Sequence, residues 1–401
     1  MSHMPAPQPD FPQPELSQPE LSEALLAPLA EQPHAATSVP IFQTASFLFE
    51  RYEDLAAVFA GTSGRYIYSR GDNPTVAELE SLIARLEGCE AARGFASGMA
   101  AISAAVIPFV KAGDRVVAVE NLYSDAYRLF EVVLKKFGVT TEYVDGSDTE
   151  AVIAALPGAA LIYLESPASW TFTLQDLPRI ARVARAEGVI SVIDNSWATP
   201  LYQRPAAHGI DLIIHAASKY LSGHSDTIAG LITGSAALIG RINREAYHYL
   251  GGKMSPFDAW LVLRGMRSLE VRMERHMENG LALGRALQAH PLVTRLRHPA
   301  FQDHPGRATF SGYGGLFAFD LDESVDVARF ANALQLTKLG VSWGGAESLC
   351  VPGEAALGLA GASNSFRHFG VSPRSVRFAA GLEKSDALVE DVLNAIELGR
   401  R

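Results

Sequence analysis

VISVIDNSWATPLYQRPAAHGIDLIIHAASK, residues 189–219, contains two short apolar runs, Val189–Asp194 and Asp211–His215, and closes on a single lysine, Lys219. Runs of this length without polar alternation fit strands buried on both faces, as in a parallel sheet. Upstream, Arg115–Val119 and Ala160–Leu164 repeat the texture, with helix-like stretches between the first three runs. Downstream, Ala229–Thr233 adds another. This alternation implies an α/β chain with a mainly parallel sheet flanked by helices, where ligands collect at the carboxyl ends of the strands. Asp194 and Lys219 both sit at such ends.

Residues 1–36 are dense in proline, from Pro5 to Pro33, among small polar residues, and are expected to build no packed element. From Pro74 the texture changes: Thr75–Leu86 is amphipathic and Gly98–Val110 reads as a small-residue helix. Beyond Pro256 the pattern predicts one long helix, Phe257–His290. Strands around Leu316–Leu321 and Ser375–Ala379 and a closing helix from Ser385 follow. The expected layout is a disordered segment over 1–36, a large domain over 73–256 and a smaller α+β domain over 257–401, with no internal repeat.

The 401 residues are 48% hydrophobic and 19% charged, the balance of a globular enzyme-like chain with a large core. A net charge of −10 argues against a nucleic-acid or anionic-membrane surface. Arg264, Arg267, Arg272 and Arg275, interleaved with Glu270 and Glu274, read as a solvated, ion-paired helix face. Cys89 and Cys350 are too few and too far apart for a disulfide framework or a thiolate metal site, so no metal is expected. The longest apolar stretch, Met99–Val110, is short and contains Pro108, and no leader pattern opens the chain. A cytoplasmic location away from membranes is the expectation.

The chemistry gathers around Lys219. A buried ammonium is costly, so a lysine in an apolar setting tends to lose its proton and become a nucleophile toward an aldehyde such as pyridoxal phosphate. That cofactor also needs a phosphate cradle, a carboxylate for its pyridine nitrogen and a stacking partner. Ser218 offers a hydroxyl, and Phe95-Ala96-Ser97-Gly98-Met99 opens a helix whose amides can hold a phosphate dianion. Asp194, ending an apolar strand, would meet a cation there. Each feature has a plainer reading: a snorkelling surface lysine, a simple helix start at Ser97-Gly98, and an Asx-turn or cap at Asp194.

The combination resembles a known family. Tyr68-Ser69-Arg70 with Asn73-Pro74-Thr75, Phe95-Ala96-Ser97-Gly98-Met99-Ala100-Ala101, Asp194-Asn195, Ser218-Lys219-Tyr220 with Gly223-His224-Ser225-Asp226, and Arg377 with Gly381-Leu382-Glu383 are similar, in this order, to the Cys/Met-metabolism enzymes. These are fold-type I, pyridoxal-phosphate-dependent cystathionine and methionine lyases and synthases, and the likeness runs from about Thr37 to the C-terminus. It implies that Lys219 forms the aldimine, Asp194 faces the ring nitrogen, Tyr123 stacks on the ring, and Ser97, Gly98, Met99, Ser196 and Ser218 hold the cofactor. Tyr68 and Arg70, on an arm over 37–72, would reach the phosphate of a neighbouring subunit, implying a homo-oligomer of paired sites, usually a tetramer. Arg377 would clamp the substrate carboxylate. Lys219 would then take the Cα proton and Tyr123 would serve the amine or the leaving group.

Substrate-facing residues depart from the relatives. Ser169-Trp170 stands where Asn-Pro is usual, and Ser124-Asp125 follows Tyr123 where small residues are usual. Asp125 reads either as the N-cap of a helix over Ala126–Lys136 or as a pocket carboxylate selecting a substrate with a distal positive charge. Ser342-Trp343 resembles cystathionine β-lyases, whereas Val341 resembles methionine γ-lyases and favours an apolar or compact substrate tail. The implied activity is elimination of a β- or γ-substituent from an L-amino acid, cystathionine β-lyase-like first. The alternatives are γ-replacement on an activated homoserine and a specialised γ-elimination of a halide or ester.

Overall fold

The blocks of apolar residues become the inner strands of one sheet. A computed structural model of the chain describes residues 17–26, 36–361 and 363–401. Its first sheet contains β1 (Ala91–Phe95), β2 (Arg115–Val119), β3 (Thr140–Val144), β4 (Leu161–Glu165), β5 (Ile190–Asp194), β6 (Leu212–His215) and β7 (Gly230–Gly234). Their order is β1-β7-β6-β5-β4-β2-β3, with β7 antiparallel to both neighbours and the pairs from β6 through β3 parallel. The expected mainly parallel sheet is present, with one reversed strand.

Both faces of the inner strands are apolar because both are covered. Val116, Ala118, Tyr163, Val192 and Ile214 pack on one side under helix Gly98–Val106. On the other side, Val117, Val119, Ile162, Leu164 and Ile193 meet helices Thr149–Ala155 and Leu177–Ala186. Strand alternation separates the two sets, and each buried aliphatic side chain contributes about 1.5–3 kcal/mol. The small-residue helix is shorter than expected. It stops at Val106, and a 3₁₀ turn over Ile107–Phe109 accommodates Pro108.

The second sheet, ordered β10-β11-β12-β9-β8, comprises β8 (Val293–Arg297), β9 (Leu316–Leu321), β10 (Lys338–Leu339), β11 (Leu349–Pro352) and β12 (Ser375–Ala379). Phe317, Phe319, Val376 and Phe378 bury one face against Leu283 and Leu287 of helix Leu269–Ala289 and Leu388 and Val392 of helix Ser385–Leu398. Leu316, Ala318 and Ala379 turn the other way, toward Phe172 and Trp197 of the first domain. Trp197 Nε1 donates to the Leu316 carbonyl at 2.8 Å, joining the halves where the candidate site lies.

Four expectations are corrected. The long helix is two, Pro256–Met266 and Leu269–Ala289, broken at Ser268 (φ −110°, ψ 10°). The reason is Arg272, which is buried rather than solvated. Its guanidinium donates to the Tyr220 and Gly265 carbonyls, each at 2.7 Å, and to Ser268 Oγ at 3.0 Å. One arginine thus occupies the Gly265 carbonyl, which a continuous helix would bond, and ties the break to the Tyr220 carbonyl of the lysine loop. Ala259, Val262 and Met266 of the first helix pack with Leu79, Leu82 and Ile83, so the large domain's core extends past residue 257. Finally, residues 1–36 do hold a packed element: helix Gln18–Leu26 buries Leu21, Ala24 and Leu25 in that same core. The remainder of the expected disordered segment, 1–16 and 27–35, lies outside the described residues.

Candidate active site

Lys219 leaves the end of β6 on a tight loop, its amide bonded to the Ala216 carbonyl at 3.0 Å. Nζ donates to Ser342 Oγ at 2.8 Å and lies 5.6 Å from the centre of the Trp343 ring. Burial, and then the positive charge of Arg377, pull this amine down to about 8, against the opposing attraction of Asp194. Ser342, Trp343 and Arg377 come from the smaller domain, so the site is shared between the two sheets.

Asp194 ends β5 beside Ile214 of β6 and Glu165 of β4. Its Oδ1 accepts from Ser196 N at 2.9 Å and from Ser196 Oγ at 2.5 Å. The same Ser196 Oγ accepts from the Ala216 amide at 2.6 Å, tying the acid to the loop that carries Lys219. Burial pushes the Asp194 carboxyl up, opposed by the Ser196 hydrogen bonds and by His215 and Lys219. Behind it, His215 Nε2 and Glu87 Oε1 stand 2.6 Å apart, fully buried.

Glu165 is a site residue to which the sequence reading assigned no role. Oε1 accepts from the Tyr123 amide at 2.7 Å and Oε2 from Ser169 Oγ at 3.2 Å. Burial and the neighbouring Asp194 raise its pKa. The available signal was an acid ending an apolar strand, the same signal that marked Asp194.

Tyr123 precedes the helix Ser124–Arg128 and occupies its N-cap position without a side-chain cap bond. The N-cap reading of Asp125 is therefore overturned, because the helix begins earlier than Ala126. Asp125 Oδ2 instead accepts from the Tyr123 hydroxyl at 3.0 Å, while Oδ1 pairs with Arg128 Nη1 at 2.6 Å. Burial and then Asp125 hold the phenol well above its usual range.

The proposed phosphate cradle begins at Ser97, whose Oγ caps helix Gly98–Val106 by accepting from Ala100 N at 3.0 Å. Amides of Gly98 and Met99 open that helix and have no partner within it. The backbone is tightly apposed: a Cβ on Gly98 would stand 3.0 Å from Ala216 Cβ, and one on Gly230 would stand 2.2 Å from the Ser97 carbonyl oxygen. Ser218 Oγ accepts from Ala229 N at 2.9 Å. A helix start for a dianion, a buried acid for a ring nitrogen and an amine with depressed pKa together fit pyridoxal phosphate.

At the substrate end, Arg377 on β12 donates to the Val341 carbonyl at 2.5 Å and lies 6.0 Å from the Trp170 ring centre. Burial pulls it down to about 10. Val341 itself is 82% exposed, and Trp343 packs edge-on to Tyr220 at 5.2 Å. Tyr68 and Arg70 do not join this cluster within the chain. They line a separate depression with Gln43, Thr44, Ala45, Ser69 and Lys253, and Arg70 donates to the His248 carbonyl at 2.8 Å.

Residues 25–397 match the Cys/Met metabolism PLP-dependent enzyme family. The L-methionine gamma-lyase of Pseudomonas putida is 38% identical over 374 residues, covering 91% of this chain and 94% of that protein. The crystal structure of cystathionine gamma-lyase from Lactobacillus plantarum complexed with L-serine superposes with a TM-score of 0.85 at 32% identity, over 94% of this chain and 99% of that one. A putative O-acetylhomoserine (thiol)-lyase from Campylobacter jejuni, whose structure holds a pyridoxyl-lysine phosphate, superposes at 0.86 with 26% identity, over 94% and 99%. This chain belongs to the Cys/Met-metabolism family: it is a fold-type I, pyridoxal-phosphate-dependent enzyme of the carbon–sulfur lyase type.

Proposed function

We propose that the enzyme eliminates a thiol from the β or γ carbon of an L-amino acid, releasing ammonia and a 2-oxo acid. The observation that carries this reading is Lys219, a half-buried amine lowered to about 8 and set between Asp194 and Arg377. Bound pyridoxal phosphate supplies an electron-withdrawing ring that makes the substrate's Cα proton acidic. Lys219 would hold the cofactor through its aldehyde and would serve as the base for that proton. For a γ leaving group the same amine moves a Cβ proton as well. Asp194, fixed by Ser196, offers its charge to the ring nitrogen. Ser97, Gly98, Met99 and Ser218 hold the phosphate. Arg377 binds the substrate carboxylate through its planar fork, and Tyr123 exchanges protons with the amine or the leaving group.

The apolar Val341 favours a compact tail. Cystathionine, cysteine, methionine, O-acetylhomoserine and γ-halogenated amino acids, assayed for ammonia and 2-oxo acid with and without added thiol, test the proposal. Release of both products from thioether or thiol substrates is expected. A new thioether formed at the expense of ammonia would favour γ-replacement, the reading supported by the likeness to the Campylobacter jejuni thiol-lyase. The 37–72 segment exposes Leu48, Tyr52 and Phe59, which supports a homo-oligomer in which this arm brings Tyr68 and Arg70 to a second copy's phosphate. Light scattering that returns a monomer would contradict it.

A further inference from the structure

We propose that Asp125, backed by Arg128, is the outlet of a proton relay through Tyr123: the incoming ammonium passes a proton to Tyr123 Oη as Tyr123 passes its own to Asp125 Oδ2. This rests on the reading that an amino acid enters beside Tyr123, and it deepens that reading. A phenol carries one hydrogen. Here it is committed to Asp125 at 3.0 Å, so the oxygen presents lone pairs to whatever approaches from its other sides.

Tyr123 has little access to a free phenolate. Burial, Asp125, and the carboxyls of Asp194 and Glu165 on β5 and β4 all oppose ionisation, with Arg377 on β12 as the cation coupled to it. The phenol can therefore take a proton only by giving one up in the same event. Asp125 is placed to receive it. Arg128 Nη1, 2.6 Å from Oδ1, fixes the carboxylate in place, while Arg128 Nε reaches the Ser363 carbonyl at 3.4 Å. The Asp125 side chain is 39% exposed, which gives the proton an exit to water.

The balance is simple. An N–H bond of the ammonium breaks and an O–H bond forms on Tyr123. The original Tyr123 O–H breaks, an O–H forms on Asp125, and water takes that proton. The amine is left neutral, with the lone pair it needs for attack, and Tyr123 is unchanged. Asp125 is thus a positioning and proton-accepting partner of Tyr123. Both of its oxygens are already engaged, which weakens its hold on a substrate's distal ammonium.

The test uses cofactor-loaded wild type, Asp125→Asn, Asp125→Glu and Asp125→Ala. Glycine has no leaving group, so the rate at which it changes the cofactor absorbance reports amine entry without turnover; kcat/KM is measured alongside across pH. Asparagine still accepts the Tyr123 hydrogen bond but takes no proton. Asp125→Asn is expected to slow glycine entry about 10- to 100-fold near neutrality and to approach wild type at alkaline pH, where the amine arrives uncharged. Asp125→Glu should keep the wild-type pH profile, and added formate should restore Asp125→Ala. A wild-type rate and profile in Asp125→Asn, or a glutamate variant as slow as the asparagine one, overturns the relay alone. A wild-type protein whose absorbance ignores every amino acid overturns the underlying functional reading as well.

Discussion

Replacing Lys219 with Met is expected to stabilise the cofactor-free protein while abolishing its activity. The amine is lowered from 10.5 to about 8, mainly by burial. At about 1.4 kcal/mol per unit, an ammonium there costs the folded chain at most about 3 kcal/mol. Water reaches this half-buried side chain, which reduces the figure to about 1–2 kcal/mol. The sign follows from proton linkage. Because the folded pKa lies below the unfolded one, the unfolded chain binds more protons between the two values. The penalty is therefore complete below about pH 8, shrinks as pH rises from about 8 to 10.5, and is absent above. Met fills the same volume with an unbranched apolar chain. For a chain of this size the gain corresponds to about 1–2 °C in Tm, which scanning calorimetry on cofactor-free protein at several pH values resolves. A lower Tm for Lys219→Met at neutral pH, or a difference that does not shrink toward alkaline pH, would refute the assignment of Lys219 as a half-buried amine destabilised by desolvation.

Three other substitutions probe the rest of the site. Ser196→Ala removes the Ser196 hydroxyl's hydrogen bond to Asp194, worth about 1 kcal/mol, and should weaken pyridoxal phosphate binding about fivefold in a fluorescence titration; an unchanged affinity counts against the link. Gly230→Ala places a Cβ 2.2 Å from the Ser97 carbonyl oxygen, so the purified variant should be misfolded or fail to retain cofactor, and normal binding would show that the cradle tolerates a methyl group. Arg377→Lys exchanges a planar fork for a point charge. It should raise KM about tenfold with a smaller effect on kcat, and steady-state kinetics would expose an unaltered KM.

Where both faces of a strand are buried, the sequence was readable, because β4, β5 and β6 carry only apolar and aromatic side chains apart from Ser191 and the polar residues at their ends. The acid and the lysine at their ends were legible for the same reason. Strand β1 was not, since Ala-Ala-Arg-Gly-Phe has weak strand preference and Arg93 is buried only through partners elsewhere, Asp72 at 2.9 Å and Glu80 at 3.5 Å. Edge strand β3, with Thr140 and Glu142 turned to solvent, also lacked an apolar run. Helix Gln18–Leu26 was hidden by its own proline, although Pro19 sits in the first turn, where a missing amide hydrogen costs nothing. The spacing of Leu21, Ala24 and Leu25 was the better guide. The partner of Asp125 was beyond reach, because the direction of the Tyr123 hydroxyl depends on how β4 and the following turn are packed.

Arg272 has one more implication. The helix it begins is 21 residues long, about 30 Å from end to end, and packs Leu283 and Leu287 against the second sheet. Its first turn is bolted to the Tyr220 carbonyl, one residue from the reactive lysine. Warming or mild denaturant that loosens the smaller domain will therefore tug on the lysine loop while the seven-stranded sheet is still intact. Catalytic competence should fade before circular dichroism registers any melting.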